Sequence, residues 1–287
     1  MTVLNELQRI ENNIKASYTA LADKGAELPT KQNSDNLATT IANLEVGGGG
    51  NDEVLKSIIE GTATEIVLPD NVEKITSSLF RNASGYPFYN TNIKSIKANG
   101  VIEINAYGVA GQLKELETIE MPNVKKIGNY AFHSTLNGKI KKVVFGSLEE
   151  IGNYALYGVF NVDEAIEANF GFNNCVVGDY AFVNYNQPSF DASGIKTLGK
   201  RVFNYKQKKF KKIWLPSTIE TIDASSSSNS LFYAGESGNY LTIYTDIPDE
   251  SNVPNGWGSY WNHGGGNYLK PTTVYGATYE DFLNAEV

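Results

Sequence analysis

The stretch IGNYAFHSTLNG, Ile127 to Gly138, is followed about two dozen residues on by IGNYALYGVFN, Ile151 to Asn161. Aligned on the apolar residue that opens each phrase, the chain carries the series Ile75, Ile104, Ile127, Ile151, Val177, Leu198 and Ile222. The intervals are 29, 23, 24, 26, 21 and 24, a period of about 24 with insertions. A few residues after each marker comes a small-plus-apolar pair: Ala106-Tyr107, Ala131-Phe132, Ala155-Leu156, Ala181-Phe182 and Val202-Phe203, with Leu79-Phe80 and Leu231-Phe232 as outer variants. The Ala106-Tyr107 pair comes early, which reads as a deletion in that unit. Upstream of the markers lie alternating runs such as EIVLP (65–69), TIEMP (118–122), KVVFG (142–146) and KIWLP (212–216). Period-two alternation closed by Pro or Gly predicts a short strand. Each unit therefore reads as strand, turn, second apolar anchor, then a brief helical or 3₁₀ segment.

A unit this small cannot bury its own apolar face, but stacked on copies of itself it can. One strand per unit at this period is the leucine-rich-repeat class. The predicted fold is an α+β repeat solenoid with a parallel sheet on one face, over residues 53–270 with a C-terminal cap, followed by a tail at 271–287. Residues 1–46 read differently. Leu4, Leu7, Glu11, Ile14, Tyr18 and Leu21 step by 3, 4, 3, 4, 3, a heptad pattern predicting an attachment or oligomerisation helix, with a coiled coil as one form of it. Gly25 stops that helix, Pro29 turns the chain, and Ser34 or Asp35 caps a second helix carrying Leu37, Ile41 and Leu44. The glycines Gly47–Gly50 open a linker over 47–52, since no Gly-Lys-Ser/Thr follows to make a phosphate loop.

The bulk composition narrows the function classes. A net charge of -8 argues against a nucleic-acid partner held through a general basic surface. The one basic run, Lys206 to Lys212, reads as a solvated turn or strand edge. Cys175 is the only cysteine, so there is neither an intramolecular disulfide nor a Cys-based zinc site. No apolar run approaches a membrane span, and Met1 is not followed by a signal segment. Synthesis in a cytoplasm with no export route of its own is the expectation.

The units resemble the BspA-like leucine-rich repeats of bacterial and protist surface proteins. The best copies are LETIEMPNVKKIGNYAF (116–132) and IKKVVFGSLEEIGNYAL (140–156), with KIWLPSTIETIDASSSSNSLF (212–232) matching around a serine-rich insertion. YLTIYTDIP (240–248) and GWGSYW (256–261) look like the closing unit. Gly146 stands where the unit usually has Pro, and residues 169–177 depart from it. The first 50 residues are similar to the N-terminal segments of phage tail and fibre proteins of Gram-positive bacteria, on the pattern Lys24, Gly25, Pro29, a second helix and a polyglycine exit.

No Gly-x-Ser-x-Gly, His-Glu-x-x-His or Walker motif is present, and the chain is expected to be non-enzymatic, with no cofactor and no metal. His133 and His263 lie far apart, and Glu149-Glu150 and Asp249-Glu250 fall at expected turns. Asp246, Asp249 and Glu250 match no EF-hand spacing. The aromatic residues are more informative. Tyr130, Tyr154 and Tyr180 recur before the Ala of the pair and predict a part-buried ladder. Tyr157, Tyr185, Trp257, Tyr260, Trp261 and Tyr268 are candidate ligand or receptor contacts. Such Tyr/Asn/Gly/Ser loops suit adaptable binding surfaces, while Trp257 and Trp261 also suit a solenoid cap.

The two resemblances together imply a phage virion protein: a fibre, head-fibre or tail-associated adhesin assembled in the host cytoplasm. Its partners would be other virion proteins at the N-terminus and a bacterial surface glycan or protein at the repeats. Neither nucleic acid nor membrane insertion is expected, and a homo-oligomer, favouring a trimer, is. The alternatives are a purely structural capsid or tail decoration and a surface-glycan hydrolase.

Overall fold

The computed structural model describes residues 14–15, 17–19, 62–75, 92–109, 113–133, 139–203, 209–232, 241–264 and 271–286. The chain divides into two compact units, Met1–Lys56 and Ser57–Val287. In the first, residues 14, 15 and 17–19 are helical, Ile14 is half-buried and Tyr18 is fully buried. Leu4, Leu7 and Leu21 lie outside the described residues. The helix is therefore supported, and the coiled coil is not.

The second unit is a parallel-sheet solenoid of stacked coils. The alternating runs form one row of strands: β1 (Glu65–Val67), β3 (Ser95–Lys97), β5 (Thr118–Met121) and the first halves of β7 (Lys142–Ile151) and β8 (Glu167–Val177). Every pairing is parallel, with Ile66, Ile96, Ile119 and Val143 in register and buried. The second apolar anchors, expected to follow a turn, form a second parallel row. It runs through β2 (Lys74–Ile75), β4 (Glu103–Ile104), β6 (Lys126–Ile127), the ends of β7 and β8, β10 (Ile195–Leu198) and β12 (Thr221–Ile222). The expectation of a sheet on one face is thus corrected: each coil contributes two strands, one to each wall. The segments after the anchors, expected to be brief helical or 3₁₀ pieces, are hydrogen-bonded turns over 129–133, 153–160, 179–184 and 200–203, while the segment after Ile222 holds a 3₁₀ helix at Ser227–Asn229 just before Leu231-Phe232.

The corner between the two walls explains why β7 and β8 are long. Pro69, Pro122 and Pro216 stand at the corner in three coils, and proline has no N–H to donate to a ladder. Gly146 and Gly171 keep that donor, and the strand continues round the corner. Beyond β8 the first wall breaks. The next strand, β9 (Ser189–Asp191), pairs with β11 (Lys212–Trp214), which leads through β13 (Thr242–Tyr244) to β14 (Thr272–Val274). At the break, Ala168 occupies the row of Val143 yet is exposed, and half-buried Phe170 and Phe172 bridge the core from Phe145 to Phe190. Tyr185 lies in the aromatic core behind them.

Residues 271–286 are not a tail. β14 extends the sheet, and α1 (Tyr279–Asn284) folds back over the outward face of β11, where Trp214, Ala277 and Phe282 form a small core. Thr278 and Asp281 make a reciprocal capping box at its start. Lys212, expected in a solvated basic run, is instead buried. Its Nζ donates to the carbonyls of Phe282 at 2.7 Å, Leu283 at 3.2 Å and Ala285 at 2.7 Å. Those carbonyls lack partners within the helix, and a cation there also meets the negative end of the helix dipole.

Candidate functional site

The phrase I-G-N-Y-A-F builds one corner of each coil, and every position has its own physical reason. Ile127, Ile151 and Val177 point inward and are buried, as are Ala131-Phe132, Ala155-Leu156 and Ala181-Phe182. The glycine is required by the neighbouring coil: a Cβ on Gly152 would lie 2.6 Å from Asn129 N and 2.5 Å from its Oδ1. That Oδ1 is occupied, accepting the backbone N–H of Asn153 at 2.7 Å. Asn153 Oδ1 does the same for Asp179 at 2.8 Å, and Asp179 Oδ1 for Lys200 at 2.9 Å. A side-chain ladder thus locks the corner from coil to coil.

The tyrosine that follows takes the left-handed backbone region, with φ 57° at Tyr130, 54° at Tyr154 and 58° at Tyr180. Tyr107, at φ 58°, belongs to the same row. Its N–H donates to Asn129 O as that of Tyr130 does to Asn153 O. The second unit therefore has no deletion, and its core pair is Gly108-Val109, with Ala106 standing in the Asn position. The four rings stack in a file. Their centroids are 5.1, 5.0 and 4.5 Å apart and their planes lie within 6° of parallel. Arg201 occupies the next place at φ 51° and sets its guanidinium 5.6 Å over the Tyr180 ring. Burial, with the flanking tyrosines, pushes the Tyr154 hydroxyl above its ordinary pKa.

Six copies of the BspA type leucine-rich repeat region match the chain, in spans covering residues 59–156, 82–205 and 137–233. The chain belongs to the BspA-type leucine-rich repeat family. Neither a curated protein nor a solved structure matches it.

In this BspA-type solenoid the tyrosine file is half-exposed along its length, with Tyr107 at 39%. Three residues further on in the two central coils stand His133 and Tyr157, both half-buried. Their rings lie 5.5 Å apart and incline by 71° and 39° to the file tyrosines three residues before them. Of the predicted contact residues, Tyr157 alone belongs to this strip. Tyr185 is in the core, ringed by Phe160, Phe190 and Phe210, and its hydroxyl donates to Ser189 O at 2.7 Å. No period in the sequence marks this burial, and its Asn-rich neighbourhood resembles a binding loop. Trp257 and Trp261 are buried and pack edge to face at 4.9 Å. Trp257 Nε1 donates to Ile219 O, and its backbone bridges to Ile222, so it serves as the anchor of a further coil. WGSYW is thus one more corner phrase, with Gly258 against the Ala224 backbone and Tyr260 in the tyrosine position, half-buried beside His263. Tyr268 lies outside the described residues.

A groove of about 240 Å³ is lined by Glu103, Lys126, Glu150, Gly128, Asn105 and Asn129 among others, residues that come shortly before the file tyrosines in their coils. Its charges alternate from coil to coil, as do most on this surface. Lys74 pairs with Glu103 at 2.9 Å, Lys125 with Glu149 at 3.2 Å and Lys126 with Glu150 at 3.9 Å. Glu149 and Glu150 therefore lie in β7 as halves of inter-coil ion pairs, not in a turn. Asp246 accepts from Ser217, and Asp249 caps the turn at Glu250–Asn252. Among the described residues no group of His, Cys, Asp and Glu is arranged to hold a metal. Cys175 is a core residue, and burial pushes its thiol up to about 12.

Proposed function

We propose that this BspA-type chain is a phage virion protein, a fibre, head-fibre or tail-associated adhesin. Its N-terminal unit holds it on the particle and its repeats bind the bacterial surface noncovalently. The observation that carries the binding reading is the tyrosine file. A left-handed backbone costs an L-residue about 1–2 kcal/mol, a cost that Gly avoids entirely and Asn in part. Each ring–ring contact returns about 0.5–1.5 kcal/mol beyond area burial. Four strained positions cost about 4–8 kcal/mol and three contacts return about 1.5–4.5 kcal/mol, so at mid-range values stacking offsets about half, and what remains favours a row of tyrosines kept for what they present to solvent. The particle-borne reading draws on the resemblance of the first 50 residues to phage tail and fibre segments. Many copies on one particle would convert weak single contacts into firm attachment.

The test is sedimentation of the full-length protein with envelope fractions from a panel of Gram-positive bacteria, beside a Tyr130→Asn/Tyr154→Asn variant. Wild type is expected to co-sediment with at least one fraction and the variant to lose most of that binding. Removal of residues 1–56 is expected to abolish incorporation into particles. A wild-type protein that binds no envelope, together with unaltered particle incorporation of the truncated chain, would overturn the reading.

A further inference from the structure

The file, the groove and the flanking rings together have a shape that restricts what can lie on them. We infer that the strip is a linear subsite array for a neutral, extended, β-linked glycan strand of the bacterial envelope, lying along the solenoid axis with about one sugar ring per coil. This inference rests on the surface-binding reading above and specifies its ligand.

Three features carry it. The first is spacing: the hydroxyl-bearing rings recur every 4.5–5.1 Å, the interval set by parallel strand pairing. An extended glycan advances by about the same distance per ring, so successive sugars meet chemically identical surroundings. The second is charge. Glu103, Lys126 and Glu150 alternate in sign along the groove, and Lys74–Glu103 and Lys126–Glu150 are already paired. A polyanion would find no net attraction here, whereas a polyhydroxyl chain finds donors and acceptors of both kinds. The third is the combination of surfaces. The file offers phenol edges and hydroxyls, while His133 and Tyr157, inclined to it, add ring surface of a second orientation. Apolar ring area beside hydrogen-bonding groups suits a sugar, which has an apolar face and a polar rim. Arg201 closes the array after four tyrosines.

The experiment titrates full-length protein with chito-oligosaccharides of two to six rings by calorimetry, with lipoteichoic acid as the charged comparison. Affinity is expected to rise several-fold with each added ring up to four and then level off. The Tyr130→Phe/Tyr154→Phe variant keeps the stack and removes two central hydroxyls. It is expected to weaken the four-ring ligand at least ten-fold with an unchanged melting temperature. Three outcomes overturn the inference: no chito-oligosaccharide binds, affinity is independent of length, or only lipoteichoic acid binds. If the wild type still sediments with envelopes in those cases, the adhesin reading stands and the glycan assignment alone falls. If nothing binds in either assay, both fall.

Discussion

Gly152 and Gly171 are separated by fewer than twenty residues and ask for glycine for different reasons. A Cβ at Gly152 runs into the backbone of Gly128 and Asn129 in the preceding coil, whereas one at Gly171 meets nothing within 4 Å. Gly152→Ala is therefore expected to destabilise the solenoid by about 1–3 kcal/mol, as overpacking of a closed contact does. Gly171→Ala is expected to stay within about 0.5 kcal/mol of wild type. Urea denaturation of the two variants side by side checks this, and equal midpoints would contradict the coil-to-coil contact. The corner phrase was legible in the sequence because its core residues recur at the period of the stack. The place of Tyr107 is not legible, because Ala106-Tyr107 imitates the core pair and only backbone hydrogen bonds show the true register. Tyr185 is illegible for the opposite reason. Its burial depends on rings from four coils, and nothing local announces it.

Among elements, α1 depends most on distant partners. Besides Lys212 at its carbonyl end, Tyr279 donates from its hydroxyl to Asp191 Oδ2 at 2.6 Å. That hydrogen bond, with burial and the nearby carboxylate charge, pushes the Tyr279 hydroxyl up to about 12. The folded state thus holds this proton more tightly than the unfolded chain, whose tyrosines titrate near 10. The contribution is complete below about pH 10 and is lost as pH rises through about 12. The difference in melting temperature between wild type and Tyr279→Phe should accordingly shrink over that window, and a constant difference would show that Tyr279 does not hold the helix. None of this was legible in the sequence: Lys212 and Ala285 are 73 residues apart, and a basic run next to a strand ordinarily means solvent. The second wall of strands was hidden for a simpler reason. Segments such as Lys74–Ile75 and Lys126–Ile127 are too short for alternation to register.

At the scale of the whole solenoid, the two walls are not equally continuous. The second wall runs unbroken from β2 to β12, while the first is interrupted between β8 and β9. Backbone amides of residues 167–172, paired on one side only, are expected to exchange with deuterium faster than those of 176–177 in the same strand, which pair with both β7 and β10. Equal protection along β8 would mean the break is closed in solution. The corner phrase has one more consequence, for how such a chain changes over generations. Since Tyr107 through Tyr180 owe their places to identical contacts with the adjoining coil, the length of the file counts whole units. Duplicating one period of about 24 residues adds a ring without disturbing those already there. Exchanging the tyrosine for arginine, as at position 201, ends the row. The reach of the surface can thus be lengthened or shortened by unequal recombination within a single gene, in discrete steps, with no new fold to be invented at any of them.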